Sequence, residues 1–206
     1  MRRLLVTFMA ASLLLVAALP ATARQGPPAG VQPSGDSIVD LVAASAGDED
    51  DPEFTLLLAA VNYIAETNPD SALVAGLFDN DQYTVFAPTD AAFLGLVGAV
   101  APLLDPDVLA TDGPFAAIDD LLGDGTVEAV VSYHVTDGRR ATNSVLPKRG
   151  ERTISTLLPG ATFSVSPEAE ITAVGSTATV VIPNISASNG VVHAIDAVLL
   201  PLDLGL

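Results

Sequence analysis

The chain has 206 residues, half of them hydrophobic, with no cysteine and a formal net charge of −17. That length and apolar content suit one compact domain with a sizeable core, while the lack of cysteine excludes disulfides and a lipid-modified cysteine anchor. So acidic a surface repels nucleic acid and anionic membranes.

Residues 1–23 carry the three zones of a secretory signal: Arg2-Arg3, an apolar run over 4–19, and the small-residue stretch Ala21-Thr22-Ala23. The run is short for a membrane span and is followed by Pro20, so cleavage after Ala23 is expected. Losing Arg2 and Arg3 takes the charge from −17 to −19. The mature chain is expected to be secreted or periplasmic, without stable membrane insertion. Residues 24–35, with Pro27-Pro28 and Pro33-Ser34-Gly35, read as a flexible leader. The domain is placed at 36–202 and a short tail at 203–206.

A first helix is expected behind Asp36 or Ser37, with Ile38, Leu41 and Val42 on one face. The acidic run 47–53 ends it. That run lacks the alternating ligands and central glycine of the helix-loop-helix calcium motif and reads as a solvated turn. Residues 54–66 form a second helix with Phe54, Leu57, Leu58, Val61 and Ile64 on its apolar stripe. A third covers 72–78, and Asp79-Asn80-Asp81 turns the chain into the next element. Tyr83-Thr84-Val85-Phe86-Ala87 reads as a buried strand. Pro88 is expected to end its ladder, and Thr89 or Asp90 to accept from the first free N–H groups of a helix beginning Ala91-Ala92-Phe93-Leu94.

Prolines and aspartates limit 102–114 to short helical turns, and helices follow over 115–122 and 126–131. Strand patterns then occupy 153–154, 161–165, 171–174, 177–182 and 191–200. Helices in the first half and strands in the second argue for an α+β fold. Asn189-Gly190 is the dipeptide favoured where both residues of a hairpin turn need positive φ. In the last strand Val191, His193, Ile195 and Ala197 face one way, and Val192, Ala194, Asp196 and Val198 the other.

His134 and His193 are the only histidines. With Ser132 or Ser188 and Asp196 they have the residue types of a hydrolase, or of half a metal site. The chain lacks a Gly-x-Ser-x-Gly elbow, a His-Glu-x-x-His pair and a phosphate-binding glycine loop. Both imidazoles are therefore read as hydrogen-bonded struts and Tyr133 as a core residue with a polar tip. No catalytic residue, cofactor or metal is expected. The cations are unevenly placed: none occurs between Gln25 and Gly138, while Arg139, Arg140, Lys148, Arg149 and Arg152 crowd together. They read either as a solvated edge that discourages strand pairing, or as a docking patch for an acidic polysaccharide or the acidic face of a second copy.

Four segments in order carry a family resemblance. Thr84-Val-Phe-Ala-Pro-Thr-Asp-Ala-Ala-Phe93 resembles the first signature of fasciclin-like domains, and Asn189-Gly-Val-Val-His-Ala-Ile-Asp-Ala-Val-Leu-Leu-Pro201 the second. Tyr133-His134 lies between them as the family's Tyr-His pair does, and Asp36-Ser-Ile-Val-Asp40 resembles its opening. The resemblance implies a fasciclin-like β-wedge or sandwich of about seven strands with several helices packed at one side. It also implies adhesion to a cell-surface or matrix protein in place of catalysis. The family positions are Thr89, Asp90, Tyr133, His134, Asn189, Gly190, His193 and Asp196. In animal members integrin binding is attributed to the Tyr-His region, here Tyr133, His134, Val130, Val131 and Val135, and to an Asp-Ile pair before the Asn-Gly turn. This chain has Asn184-Ile185 there, and a neutral amide does not replace a metal-bridging carboxylate. Charge-driven self-association, and carriage of a small apolar ligand between helices and sheet, are the alternative readings.

Overall fold

The structure, a computed structural model, describes residues 35–47, 53–78, 81–104 and 113–204. The expected signal, the leader up to 34, the acidic stretch 48–52, Asp79-Asn80 and Pro106 lie outside the described residues. Helices α1 (Ile38–Ala46), α2 (Thr55–Thr67) and α3 (Ala72–Phe78) come first. Strand β1 (Tyr83–Pro88) leads into α4 (Asp90–Val100), a 3-10 turn (Ala101–Leu103), α5 (Gly113–Leu122) and α6 (Thr126–Tyr133). After β2 (Val135–Asp137) and the single turn α7 (Thr142–Val145) the chain runs through β3 (Arg152–Ser155), β4 (Thr162–Val165), β5 (Glu170–Thr172), β6 (Thr177–Ala187) and β7 (Gly190–Ile195). The α+β class and the helix-to-strand order follow the sequence pattern.

The seven strands form one sheet in the order β2-β1-β7-β6-β5-β4-β3. Every neighbouring pair is antiparallel except β1 and β7, which run parallel from Tyr83 opposite Gly190 to Pro88 opposite Ile195. The sheet folds until its two ends meet. Leu157 N–H donates to the Val135 carbonyl at 2.7 Å, and the Thr136 hydroxyl donates to the Ser155 carbonyl at 2.7 Å. The result is a wedge, closed nearly into a barrel, with helices packed on one face.

Strand alternation divides the core in two. Val85, Ala87, Val192 and Ala194 face the helical layer and join a cluster with Ile38, Leu57, Ile64 and Val131. Phe86 and Ile195 face the wedge interior with Tyr133, Ile154, Phe163 and Ile171. There Phe86 meets Phe163 edge-on at 5.0 Å, and Tyr133 meets Phe163 the same way at 5.9 Å.

Several local expectations are corrected. Pro88 belongs to β1: β2 pairs only with Tyr83, Thr84 and Val85, so no strand is left where its missing N–H would point. Pro114 sits inside α5, in the first turn, where a missing N–H costs no helical bond. Strand β6 runs to Ala187, beyond the expected 182, because register shifts between Val180 and Ile185 break its alternation. Strand β7 stops at Ile195, short of the expected 200. Finally, neither Asn189 nor Gly190 has a positive φ. The connection is Ser188-Asn189, and Gly190 is already the first residue of β7.

Candidate functional site

The family positions converge where β1, β7 and the helical layer meet. Thr89 accepts a hydrogen bond from Ala92 N–H at 3.2 Å and caps α4. Asp90 acts on another helix: its carboxylate accepts from Thr55 N–H at 3.1 Å and Leu56 N–H at 2.8 Å, both in the first turn of α2. Helix α2 needs that partner, since Phe54 at its start is left-handed (φ 62°) and gives no side-chain cap. The expectation that Thr89 or Asp90 caps the following helix thus holds for Thr89, while Asp90 serves α2.

Asn189 is buried and joins three elements. Its side-chain carbonyl accepts from Ile38 N–H at 2.7 Å, its amide donates to the Leu77 carbonyl at 3.0 Å, and its own carbonyl accepts from Tyr83 N–H at 3.0 Å. Gly190 is required by closeness: a Cβ there would lie 2.1 Å from the Tyr83 carbonyl oxygen and 2.7 Å from Ile38 Cδ1. Asp196 is exposed, and its carboxylate accepts from Thr179 N–H at 2.6 Å, with Asp196 N–H returning a bond to the Thr179 carbonyl.

Both imidazoles are held by backbone. His134 Nδ1 is 2.7 Å from the Val130 carbonyl and Nε2 accepts from Leu199 N–H at 2.8 Å, so Nδ1 carries the proton. Burial pushes its pKa down to about 4. His193 has the opposite arrangement. Nε2 is 2.9 Å from the Arg140 carbonyl and Nδ1 accepts from Asn184 N–H at 3.3 Å, while its ring stacks 5.5 Å from that of Phe86. Burial lowers its pKa as well. With both nitrogens of each ring engaged by main chain, neither imidazole is placed to act on Ser132, Ser188 or Asp196 as a base. Among the described residues no cluster of three metal-ligating side chains occurs. Tyr133 is fully buried, donates its hydroxyl to the Thr162 carbonyl at 2.8 Å, and has its pKa raised by burial.

The basic residues separate into two groups. Arg139 staples the β6–β7 connection, its guanidinium donating to the carbonyls of Ala187 (2.8 Å) and Gly190 (2.5 Å) and to the Ser186 hydroxyl (2.5 Å). Arg140 Nε donates to the Asp137 carbonyl at 3.0 Å, and Arg152 donates to the Ser144 carbonyl. Lys148 and Arg149 are exposed on the loop between α7 and β3. Asn184, at the place of the family's Asp-Ile pair, is left-handed (φ 64°) and its side-chain carbonyl accepts from Thr142 N–H at 2.8 Å.

Two polar groups escaped the sequence reading. Asp119, buried near the C-terminal end of α5, accepts from Val127 N–H at 2.9 Å and from the Tyr63 hydroxyl at 3.1 Å. It caps α6, whose preceding residue Gly125 has no side chain to offer, and with burial as the larger cause it helps raise the Tyr63 pKa to about 12. An acid at the end of a helix opposes the dipole, and that was the signal of a partner. Thr84 is the other: its hydroxyl donates to the Gly138 carbonyl at 2.7 Å and accepts from Arg140 N–H at 2.8 Å, fixing the approach to the basic segment.

Comparison with known proteins agrees with this geometry. Immunogenic protein MPB70 of Mycobacterium bovis is 33% identical over 163 residues, which are 79% of this chain and 69% of that protein. Protein sll1483 of Synechocystis sp. is 32% identical over 172 residues, 82% of this chain and 78% of its own length. A solved FAS1 domain pair from the insect cell adhesion molecule Fasciclin I superposes with a TM-score of 0.43 at 15% identity, covering 69% of this chain and 44% of that one. The chain therefore spans less than half of that structure, and a likeness at that level adds nothing to the assignment. The fasciclin domain model matches residues 53–201, and with relatives at 33% and 32% identity along most of their length it shows that this chain belongs to the fasciclin domain family.

Proposed function

We propose that the protein is a secreted, noncatalytic module that binds a cell-surface or matrix component. The family is one of extracellular adhesion domains. The observation that carries the reading is that the polar groups at the family positions are engaged within the fold: Asp90 and Asn189 hold helix starts, and His134 and His193 hold backbone. A chain whose motif serves as framework works through its outer surface. Arg139, Lys148 and Arg149 are exposed, and of these Arg139 is committed to the β6–β7 connection, which leaves Lys148 and Arg149 as the cations whose charge suits an acidic polysaccharide or an acidic protein face.

The test is a panel of immobilised matrix proteins and acidic glycans, probed with wild type and with Lys148→Ala/Arg149→Ala. Arg139 is left intact because its loss would loosen the β6–β7 connection. Wild-type binding reduced at least about tenfold by the double change supports the patch. Equal binding by both proteins removes the patch, and a folded wild type that binds nothing on the panel counts against the module reading. The separation of charge, with every cation of the expected mature domain at 139–152, also favours contact with the acidic part of a second copy. Sedimentation at low and at high salt checks that reading, which a monomer under both conditions excludes.

A further inference from the structure

The helical layer holds a cavity of about 250 Å³, whose lining includes one of the family positions, His134. Its walls come from α2, α4, α5, α6, the end of β1, the 3-10 turn and the segment after β7, with Phe93, Val97, Val100, Ile118, Val130 and Leu204 among them. Among the described residues lining it, only Thr126 and His134 have polar side chains, and both are engaged: the Thr126 hydroxyl donates to the Gly123 carbonyl at 2.6 Å, and the His134 ring is held by Val130 and Leu199. The described lining residues offer no free side-chain group with which to recognise a polar ligand, and apolar cavities stay dry or take up apolar molecules. An apolar void of about 150 Å³ holds one benzene ring, so this one offers room for about ten carbons.

Leu103, Leu121 and Leu122 line the cavity and are 54%, 42% and 39% exposed, forming an apolar rim. No Lys or Arg occurs from 26 to 138 or from 153 to 206, the two spans that supply these walls, and the whole chain carries −17. A carboxylate or phosphate at the mouth would meet only repulsion. Gly95 and Gly98 lie within α4, and glycine weakens a helix interior.

We propose that this cavity binds a single aliphatic chain of about ten carbons bearing an uncharged polar head, with the chain between α4, α5 and α6 and the head at the leucine rim. None of residues 139–152 lines the cavity, so the site stands independently of the docking patch.

Calorimetric titration of the protein with decyl maltoside, below its micellar concentration, tests this. Expected are saturable binding at one equivalent, an affinity for decanoate at least about tenfold weaker, and a loss of at least about tenfold in Val97→Phe and in Val130→Phe, each of which fills the cavity. Val181→Phe, on the exposed face of β6, should bind as wild type does. Methyl NMR of the wild type is the second reading, with ligand-induced shifts at Val97, Ile118 and Val130. Absence of saturable binding, equal affinity in folded filled variants, equal loss in Val181→Phe, stronger binding of decanoate, or shifts confined to other methyl groups would overturn the proposal.

Discussion

At Gly190 a single hydrogen atom decides whether two strands can pair. A methyl group in its place would meet the main chain of Tyr83, which cannot swing aside as a side-chain tip can. Gly190→Ala should cost about 3 kcal/mol, the upper end of the usual range for one substitution, seen as a lowered denaturant midpoint with an unchanged slope. The same position shows what local sequence can convey. Asn189-Gly190 marked a tight connection correctly, but suggested a φ-driven turn because the true cause, the approach of β1, comes from a distant segment. His134 carries a second prediction at this scale. Burial lowers its folded pKa to about 4, while in the unfolded chain it stays near the ordinary 6.5. As pH falls the unfolded state takes up the proton first. The stabilisation is therefore complete above about pH 6.5 and is lost progressively down to about pH 4. Between about pH 6.5 and about pH 5 this group alone should remove about 2 kcal/mol from the stability measured by urea unfolding, and His193 acts in the same direction. His134→Gln should be less stable at neutral pH and show a flatter dependence over that interval.

Helices α2 and α6 share a device. Each begins after a left-handed residue, Phe54 or Gly125, that offers no side-chain cap, and each receives a carboxylate from another element, Asp90 or Asp119. Such bonds couple helix formation to tertiary packing. Asp90→Ala should cost about 2 kcal/mol, more than the roughly 1 kcal/mol expected for Thr89→Ala, and amide exchange should accelerate first at Thr55 and Leu56. Helix periodicity was strong enough to place α2 within one residue of its observed bounds and α3 at them. Strand β2, of three residues, and α7, of four, are too short to show any period, and both were missed. The cross-element caps were invisible for another reason. A carboxylate in sequence does not say which helix end it will meet.

Across the whole molecule the parallel pairing of β1 with β7 joins an early segment to a late one and lets the sheet close on itself. The α+β class was legible in the order of patterns, and both strands stood out through Phe86, His193 and Ile195. Their parallel pairing was not legible, since no local period encodes which strands become neighbours. Closure between β2 and β3 rests on side-chain and loop bonds that sequence patterns do not reveal. Thr136→Val keeps the shape and removes the hydroxyl that bridges to Ser155. It should lower stability by about 1 kcal/mol and speed amide exchange at Leu157, the other link across the closure. The framework as a whole depends on two buried imidazoles acting as neutral ties between backbone groups. Nitrogen–proton correlation NMR of the two rings, followed from neutral pH down to about pH 5, tests that claim most directly. Opposite tautomers are predicted, with the proton on Nδ1 of His134 and Nε2 of His193, and His134 remaining neutral throughout. Titration of His134 near the ordinary histidine value, or a shared shift of both rings on adding zinc, would contradict it.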